Sequence, residues 1–170
     1  CGTRDRASST RGSASAASDV YTGQDPLLLG FRTALSNVML QQEIRGLDRQ
    51  AMLERAEALF RRLDLTGAEN RYPWQLSGGM RQRVSIARAL IHDPSMLLMD
   101  EPFGALDAIS RTQIRHDLEM LWLETRKTVL FITHSIDEAI GLSDRVLVMS
   151  NGPGTIGEEI VIDLPRPRPA

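Results

Sequence analysis

Three small groups of residues in this sequence have the types and spacing to handle a phosphate. Ser77-Gly78-Gly79 stands directly before an arginine-rich, apolar-periodic stretch. Serine is a favoured helix N-cap. Two glycines without side chains let an anion approach the backbone N–H groups, and a helix N-terminus adds partial positive charge. The tripeptide alone also fits a plain turn. Asp100 and Glu101 follow the apolar run "MLLM", Met96–Met99. A strand ending there puts two carboxylates at the carboxyl edge of a sheet, where ligands bind in open α/β folds. One carboxylate can hold Mg²⁺ through water, and the next can polarise a water for attack on a phosphoryl group. A solvated strand terminus is the plainer alternative. His134 follows the β-branched run "TVLFIT", Thr128–Thr133, and should emerge at the same edge as Asp100. An imidazole there can touch a terminal phosphate. His92 ends a helix and His116 sits on a polar helical face, so both read as structural.

The elements that must position these groups are legible as periodicities. Met52, Ala56, Leu59, Phe60 and Leu63 share one helical face, and "ENRYPW" breaks that helix. Met80, Val84, Ala87, Leu90 and Ile91 mark a second helix that stops at Asp93-Pro94. Leu106 to about Thr125 is a third, with Ile114, Leu118, Leu121 and Trp122 on one side. "MLLM", "TVLFIT" and "RVLVM" read as strands, "EEIVIDL" as a fourth, and "SIDEAIGL" as a short helix. Strands alternating with helices predict a mostly parallel, buried sheet. The helical stretch before it, about 36–92, reads as a subdomain inserted ahead of a sheet portion at about 93–164. Residues 1–19 contain no Leu, Ile, Val, Phe or Met, so the expectation is a disordered or foreign segment. The domain is expected to run over 20–170.

Composition sets the outer bounds. A chain of 170 residues suffices for one domain with a real core. A net charge of -2 gives no argument for a nucleic-acid-binding surface. The single cysteine, Cys1, rules out an internal disulfide. No apolar run approaches the length that spans a bilayer, so a membrane role would go through partners. Nineteen arginines accompany one lysine, Lys127, which leaves a single candidate for a phosphate-loop lysine.

Taken together in this order, the pieces resemble the ATP-binding subunit of ABC transporters. "LSGGMRQR" looks like that family's signature motif, "LLMDEP" like its Walker B, "GALD" like its D-loop, "ITHS" like its switch histidine and "GQDPLLL" like its Q-loop. The tail "DRVLVMSNGPGTIGEEIVIDLPRPRP" resembles the nitrate/sulfonate/taurine import class, with Asn151-Gly152 where an Arg-Pro-like pair is common. The resemblance implies an α/β, P-loop NTPase-like sheet with an inserted helical subdomain, and a head-to-tail pair of subunits sandwiching two ATP molecules. It implies that Ser77, Gly78, Gly79 and Met80 face the partner's nucleotide and that Asp100 organises Mg²⁺. Glu101 would be the general base, His134 would contact the terminal phosphate, and Asp107 would cross the dimer interface. Gln24 would sense Mg²⁺ and the attacking water, although Gly23 replaces the usual preceding aromatic. The implied partners are a second ATPase subunit, membrane permease subunits and, indirectly, a periplasmic or lipoprotein solute-binding protein, with no nucleic acid. The implied location is peripheral, on the cytoplasmic face of the cell membrane.

The family's Gly-Lys-Ser/Thr phosphate loop has no match in these residues. Lys127 follows Arg126 and leads into a strand with no glycine nearby. The expectation is therefore a carboxyl-terminal portion of such an ATPase, with the amino-terminal part of the core missing, inactive alone. The alternatives are a non-catalytic remnant and a soluble ATPase of DNA repair or translation. The second lacks the coiled-coil insertion, tandem cassette and basic patch it would need.

Overall fold

The computed structural model describes residues 20–22, 27–152 and 154–168. The segment 1–19 and Gln24 lie outside the described residues. The first described element is a short strand, β1 (Val20–Thr22). Four helices follow: α1 (Ala34–Val38), α2 (Leu40–Arg45), α3 (Arg49–Arg62) and α4 (Gly78–Leu90). Strands and helices then alternate as β2 (Met96–Asp100), α5 (Ala108–Thr125), β3 (Thr128–Ile132), α6 (Ile136–Leu142), β4 (Arg145–Met149) and β5 (Ile156–Val161).

The helices start and stop for local reasons. Asp48 caps α3 by accepting from the Ala51 N–H at 2.7 Å, and Arg61 and Arg62 occupy its last turn, where the dipole favours cations. Its buried face carries Ala56 and Phe60. Helix α4 is enclosed on most sides, with Val84, Ser85, Ile86, Ala87, Ala89 and Leu90 all buried, so it forms the centre of the core. Asn37 is fully buried on α1 and satisfied. Its Oδ1 accepts from the Leu29 N–H, and its amide donates to the carbonyls of Leu29, Arg32 and Thr33. That network pins the loop leading into the helices, as a buried polar side chain requires.

Strands β1, β2 and β3 form a parallel sheet with β2 in the middle. Leu97 lies beside Val20 and Val129, and Asp100 beside Ile132. The parallel sheet expected from the sequence is present, and β4 and β5 add a separate two-stranded antiparallel sheet. Consecutive strands joined by a short connection pair antiparallel, because parallel neighbours need a crossover. One expectation is corrected: the strands are not fully buried. Leu97 and Met99 of β2 are buried, but Leu130 and Ile132 of β3 are 54% and 59% exposed. Strand β3 is the outer member of its sheet, and its far edge has no pair among the described residues.

The last described residues dock onto α5 and α6. The Arg166 guanidinium donates to Glu119, to Asp144 and to the Leu142 carbonyl. It also stacks over the Trp122 ring at 4.4 Å. Arg168, itself buried, donates to the Ile140 and Ser143 carbonyls at the end of α6. Its burial draws the guanidinium pKa below the ordinary value.

Candidate functional site

The parallel register of β2 and β3 decides what meets at the carboxyl edge. Asp100 is the last residue of β2, opposite Ile132, so Glu101 and the segment after Ile132 leave the sheet side by side. The Glu101 N–H donates to the Ile132 carbonyl at 2.8 Å, which extends the ladder by one bond. Glu101 then takes a left-handed conformation, φ 43°. A non-glycine residue there costs about 1–3 kcal/mol and needs a surrounding that holds it. The Gly104 N–H donates to the Glu101 carbonyl and closes that turn. The result is a carboxylate aimed across the strand ends: Glu101 Oε1 lies 3.1 Å from His134 Nδ1. An imidazole N–H at that distance donates to a carboxylate and orients it.

Behind this pair lies a second layer that sequence reasoning missed. Glu101, Arg111, Thr133, His134, Ser135 and Glu138 line one cleft. The Thr133 hydroxyl donates to Glu138 Oε2 and accepts from the Ser135 N–H. Ser135 caps α6 by accepting from the Glu138 N–H. The S-x-x-E spacing of Ser135 and Glu138 is a capping signature visible in the sequence. It signals a helix start, but not that Glu138 turns to Thr133.

The other expected site residues gather elsewhere, at the N-termini of α4 and α5. Ser77 caps α4, accepting from the Met80 N–H at 3.2 Å. Asp107 caps α5, accepting from the Ile109 and Ser110 N–H groups at 3.1 and 3.0 Å. The bond from Ser110 leads in holding the Asp107 carboxyl below its ordinary pKa. Capping is by itself a local reason for both residues. Gly78 and Gly79 have no such reason. A Cβ on Gly78 would meet nothing closer than 3.9 Å, and one on Gly79 only ordinary contacts with Ser110 and Ile114 from 3.5 Å. Alanine would also suit a helix better by about 1 kcal/mol. Nothing among the described residues requires glycine at either position. Those contacts also set the α4 N-terminus beside Leu106 and Ser110.

The structure therefore divides the expected site into two groups. Asp100, Glu101 and His134 share the sheet edge, while Ser77, Gly78, Gly79, Met80 and Asp107 belong to two adjacent helix N-termini. Lys127 is in neither. It precedes β3, at the opposite end of that strand from His134, and its ammonium pairs with Asp93. The Lys127 bond leads in holding the Asp93 carboxyl below its ordinary pKa. Strand rise alone separates Lys127 from His134 by roughly 20 Å.

For Mg²⁺, the fit is a matter of donor count. Among the described residues, no three His, Cys, Asp or Glu side chains converge. Mg²⁺ normally keeps several waters and takes one or two carboxylates plus substrate phosphates. A single carboxylate at the edge, Asp100, fits that mode.

The family description "ABC transporter" matches residues 5–104. The chain is 48% identical over 145 residues to an uncharacterised ABC transporter ATP-binding protein of Methanocaldococcus jannaschii, covering 85% of this chain and 54% of that protein. It is 46% identical over 143 residues to the taurine import ATP-binding protein TauB of Escherichia coli K12, covering 84% of this chain and 56% of TauB. Among solved structures, it resembles the ATP-binding cassette MJ0796 in a dimeric post-hydrolysis state bound to ADP and Pi. That match has a TM-score of 0.68 at 32% identity, over 85% of this chain and 63% of the other. It also resembles cbiO1 of Clostridium perfringens, part of the cbiONQ complex, with a TM-score of 0.73 at 25% identity over 85% of this chain and 56% of that one. The chain spans about half the length of the curated relatives it matches. With this fold and these matches, the chain belongs to the ATP-binding subunits of ABC transporters.

Proposed function

We propose that this chain carries the hydrolytic edge and the signature turn of an ATPase that powers an ABC importer of taurine, another sulfonate, nitrate or a similar small anion. The observation that carries the hydrolytic part is the 3.1 Å pairing of Glu101 with His134 at the end of adjacent parallel strands. In this reading Glu101 accepts the proton of the attacking water, and His134 orients the carboxylate and meets the terminal phosphate. Asp100 holds Mg²⁺ through water, and the ion supplies charge neutralisation for the phosphates. Most of the acceleration comes from positioning and charge stabilisation, as in phosphoryl transfer generally. Gln24 reports on this edge to the membrane partner.

The division of the site into two groups supports a head-to-tail dimer. Two long helices present their N-termini side by side, with glycines that nothing within the described residues explains. A nucleotide held mainly by a second subunit supplies the explanation. Ser77, Gly78, Gly79 and Met80 would meet its terminal phosphate, and Asp107 would cross the interface. The helical stretch before β2 docks the permease subunits, and the assembly lies peripherally on the cytoplasmic face of the membrane, fed by a solute-binding protein. The taurine-class reading rests on the likeness to TauB and on the tail ending in "LPRPRP".

A second reading has one observation in its favour: these residues include no Gly-Lys-Ser/Thr loop. In it the chain is a non-catalytic subunit that lends Ser77–Gly79 to a partner's nucleotide. The test of the first reading is Glu101→Gln in a polypeptide that carries the phosphate loop. The amide keeps the shape but accepts no proton. Hydrolysis should fall by about 10²–10⁴ while ATP binding and dimerisation persist. A near wild-type rate removes Glu101 from the base role.

A further inference from the structure

We propose that Arg111 and Glu138 form a positioning link between the loop that precedes α5 and the loop that carries His134, so that movement of one shifts the other. The catalytic meaning of this link rests on the Glu101–His134 reading above; the link itself does not.

Glu138 is 5% exposed, and a carboxylate in that setting needs partners. Two side chains answer it. The Thr133 hydroxyl donates to Oε2, and the Arg111 guanidinium faces Oε1, with Nε at 3.9 Å. Thr133 uses the same hydroxyl oxygen to accept from the Ser135 N–H. Both neighbours of His134 are therefore tied through one oxygen that Glu138 holds. On the other side, Arg111 Nη2 donates to the Leu106 carbonyl at 3.1 Å. Leu106 is the residue before the cap Asp107, and its side chain lies beside Gly78. One guanidinium thus spans from the signature-turn side of the site to the His134 side.

The 3.9 Å spacing leaves this link room to tighten. It is an ion pair without a hydrogen bond, and the buried Nε has no other hydrogen-bond partner. Closing it to the ~2.8 Å of a charge-assisted bond takes a shift of about 1 Å. Because Arg111 also holds the Leu106 carbonyl, displacement of the 104–107 loop moves the fork onto or off Glu138. That movement reaches Thr133 and so the backbone on both sides of His134. An apolar residue at 138 would fill the space at no desolvation cost; the carboxylate adds the coupling.

Hydrogen–deuterium exchange on the 170-residue chain tests the link without calling on catalysis. Glu138→Gln should raise exchange in 133–139 and also in 103–107, by about threefold or more. Arg115→Ala is the control. Arg115 also crosses from α5 to α6, donating to the Asp137 carbonyl at 3.2 Å, but its bonds do not reach Leu106. It should loosen 133–139 and leave 103–107 unchanged. Arg111→Lys covers the case in which Glu138→Gln unfolds. A lysine keeps the charge but has no fork to hold both partners, so 103–107 should exchange faster while the fold persists. Effects confined to 133–139 in both variants, or an unaltered Arg111→Lys profile, overturn the proposal. In a hydrolysing assembly, Arg111→Lys should lower kcat about tenfold with KM for Mg-ATP nearly unchanged, within the usual range of couplings between sites. If Glu101→Gln hydrolyses normally there, the catalytic reading falls, and the exchange result still decides the link.

Discussion

Helix α4, which carries the signature turn, is braced against α5 by a bridge that can be tested quantitatively. Arg83 Nη2 lies 2.7 Å from Asp117 Oδ2, and the two side chains are only 12% and 14% exposed. Asp64, 91% exposed, lies at 3.7 Å from the same guanidinium and adds little. Removing one partner of a fully buried pair costs about 3–5 kcal/mol, because the other charge is left without compensation. Asp117 here keeps its bond from the Gln113 amide. Arg83→Met should therefore fall below that range, at about 2–3 kcal/mol. Asp117→Leu should cost a similar amount, since Arg83 would retain only the exposed Asp64. The double variant removes both charges, and Ile114 and Leu121 on α5 and Val84 and Ala87 on α4 are all buried apolar residues. Its cost should be about 1 kcal/mol or less, a coupling of several kcal/mol between the two sites. Urea unfolding of the four proteins, read by far-ultraviolet circular dichroism at constant m-value, measures each term. Thermal midpoints should fall by about 5–10 °C for each single change. Additive costs, with the double variant worse than either single, would refute the reasoning and show that packing, not charge, holds the two helices.

Phe103→Ala empties a fully buried site directly after Glu101-Pro102 and should cost about 3–5 kcal/mol in the same unfolding assay. Gly78→Ala and Gly79→Ala should leave the midpoint unchanged or raise it, since the helix gains and the space is free. In a dimerising assembly, both should impair ATP-driven association, measured by size-exclusion with light scattering. The Asp93 carboxyl, held low chiefly by Lys127, contributes stability above its unfolded pKa near 4, and that contribution is lost as pH falls through its lower folded value. Asp93→Asn should flatten the acid limb of a stability-against-pH curve below about pH 5 and barely change its shape above. The isolated 170-residue chain should not bind Mg-ATP tightly, because Asp100 and Glu101 meet the polyanion without a phosphate loop. Calorimetry showing stoichiometric micromolar binding would contradict this.

What the sequence disclosed was local, and what it hid was contact between distant segments. Helices α3, α4 and α5 stand where the spacing of Met52 to Leu63, Met80 to Ile91 and Ile114 to Trp122 puts them. Long amphipathic periods are strong signals. The Ser77 cap was equally readable, and so was the arrival of Asp100 and His134 at one edge, since both follow strand-like runs that pair in parallel. Helices α1 and α2 were not readable, being five and six residues long with too few turns for a period to show. The separate β4–β5 sheet was missed although an Asn-Gly pair lies between the strands, because alternating elements outweighed the hairpin signal. Glu138 and Arg111 gave no sign of each other. Their meeting depends on how α6 packs against α5, and a one-dimensional pattern does not encode that.

The Asp93–Lys127 pair also makes this chain an unusual substrate for proteolysis. With nineteen arginines and one lysine, a lysine-specific protease has a single bond to cut, Lys127–Thr128. That bond lies at the entry to β3, beside an ammonium only 18% exposed and tied to the turn between α4 and β2. Cleavage there needs the Lys127 side chain to leave Asp93, so the rate of this one cut reports how often the tie at the entry to β3 opens. Two fragments of fixed size, one ending at Lys127 and one starting at Thr128, would register that opening directly on a gel, with no label or engineered site.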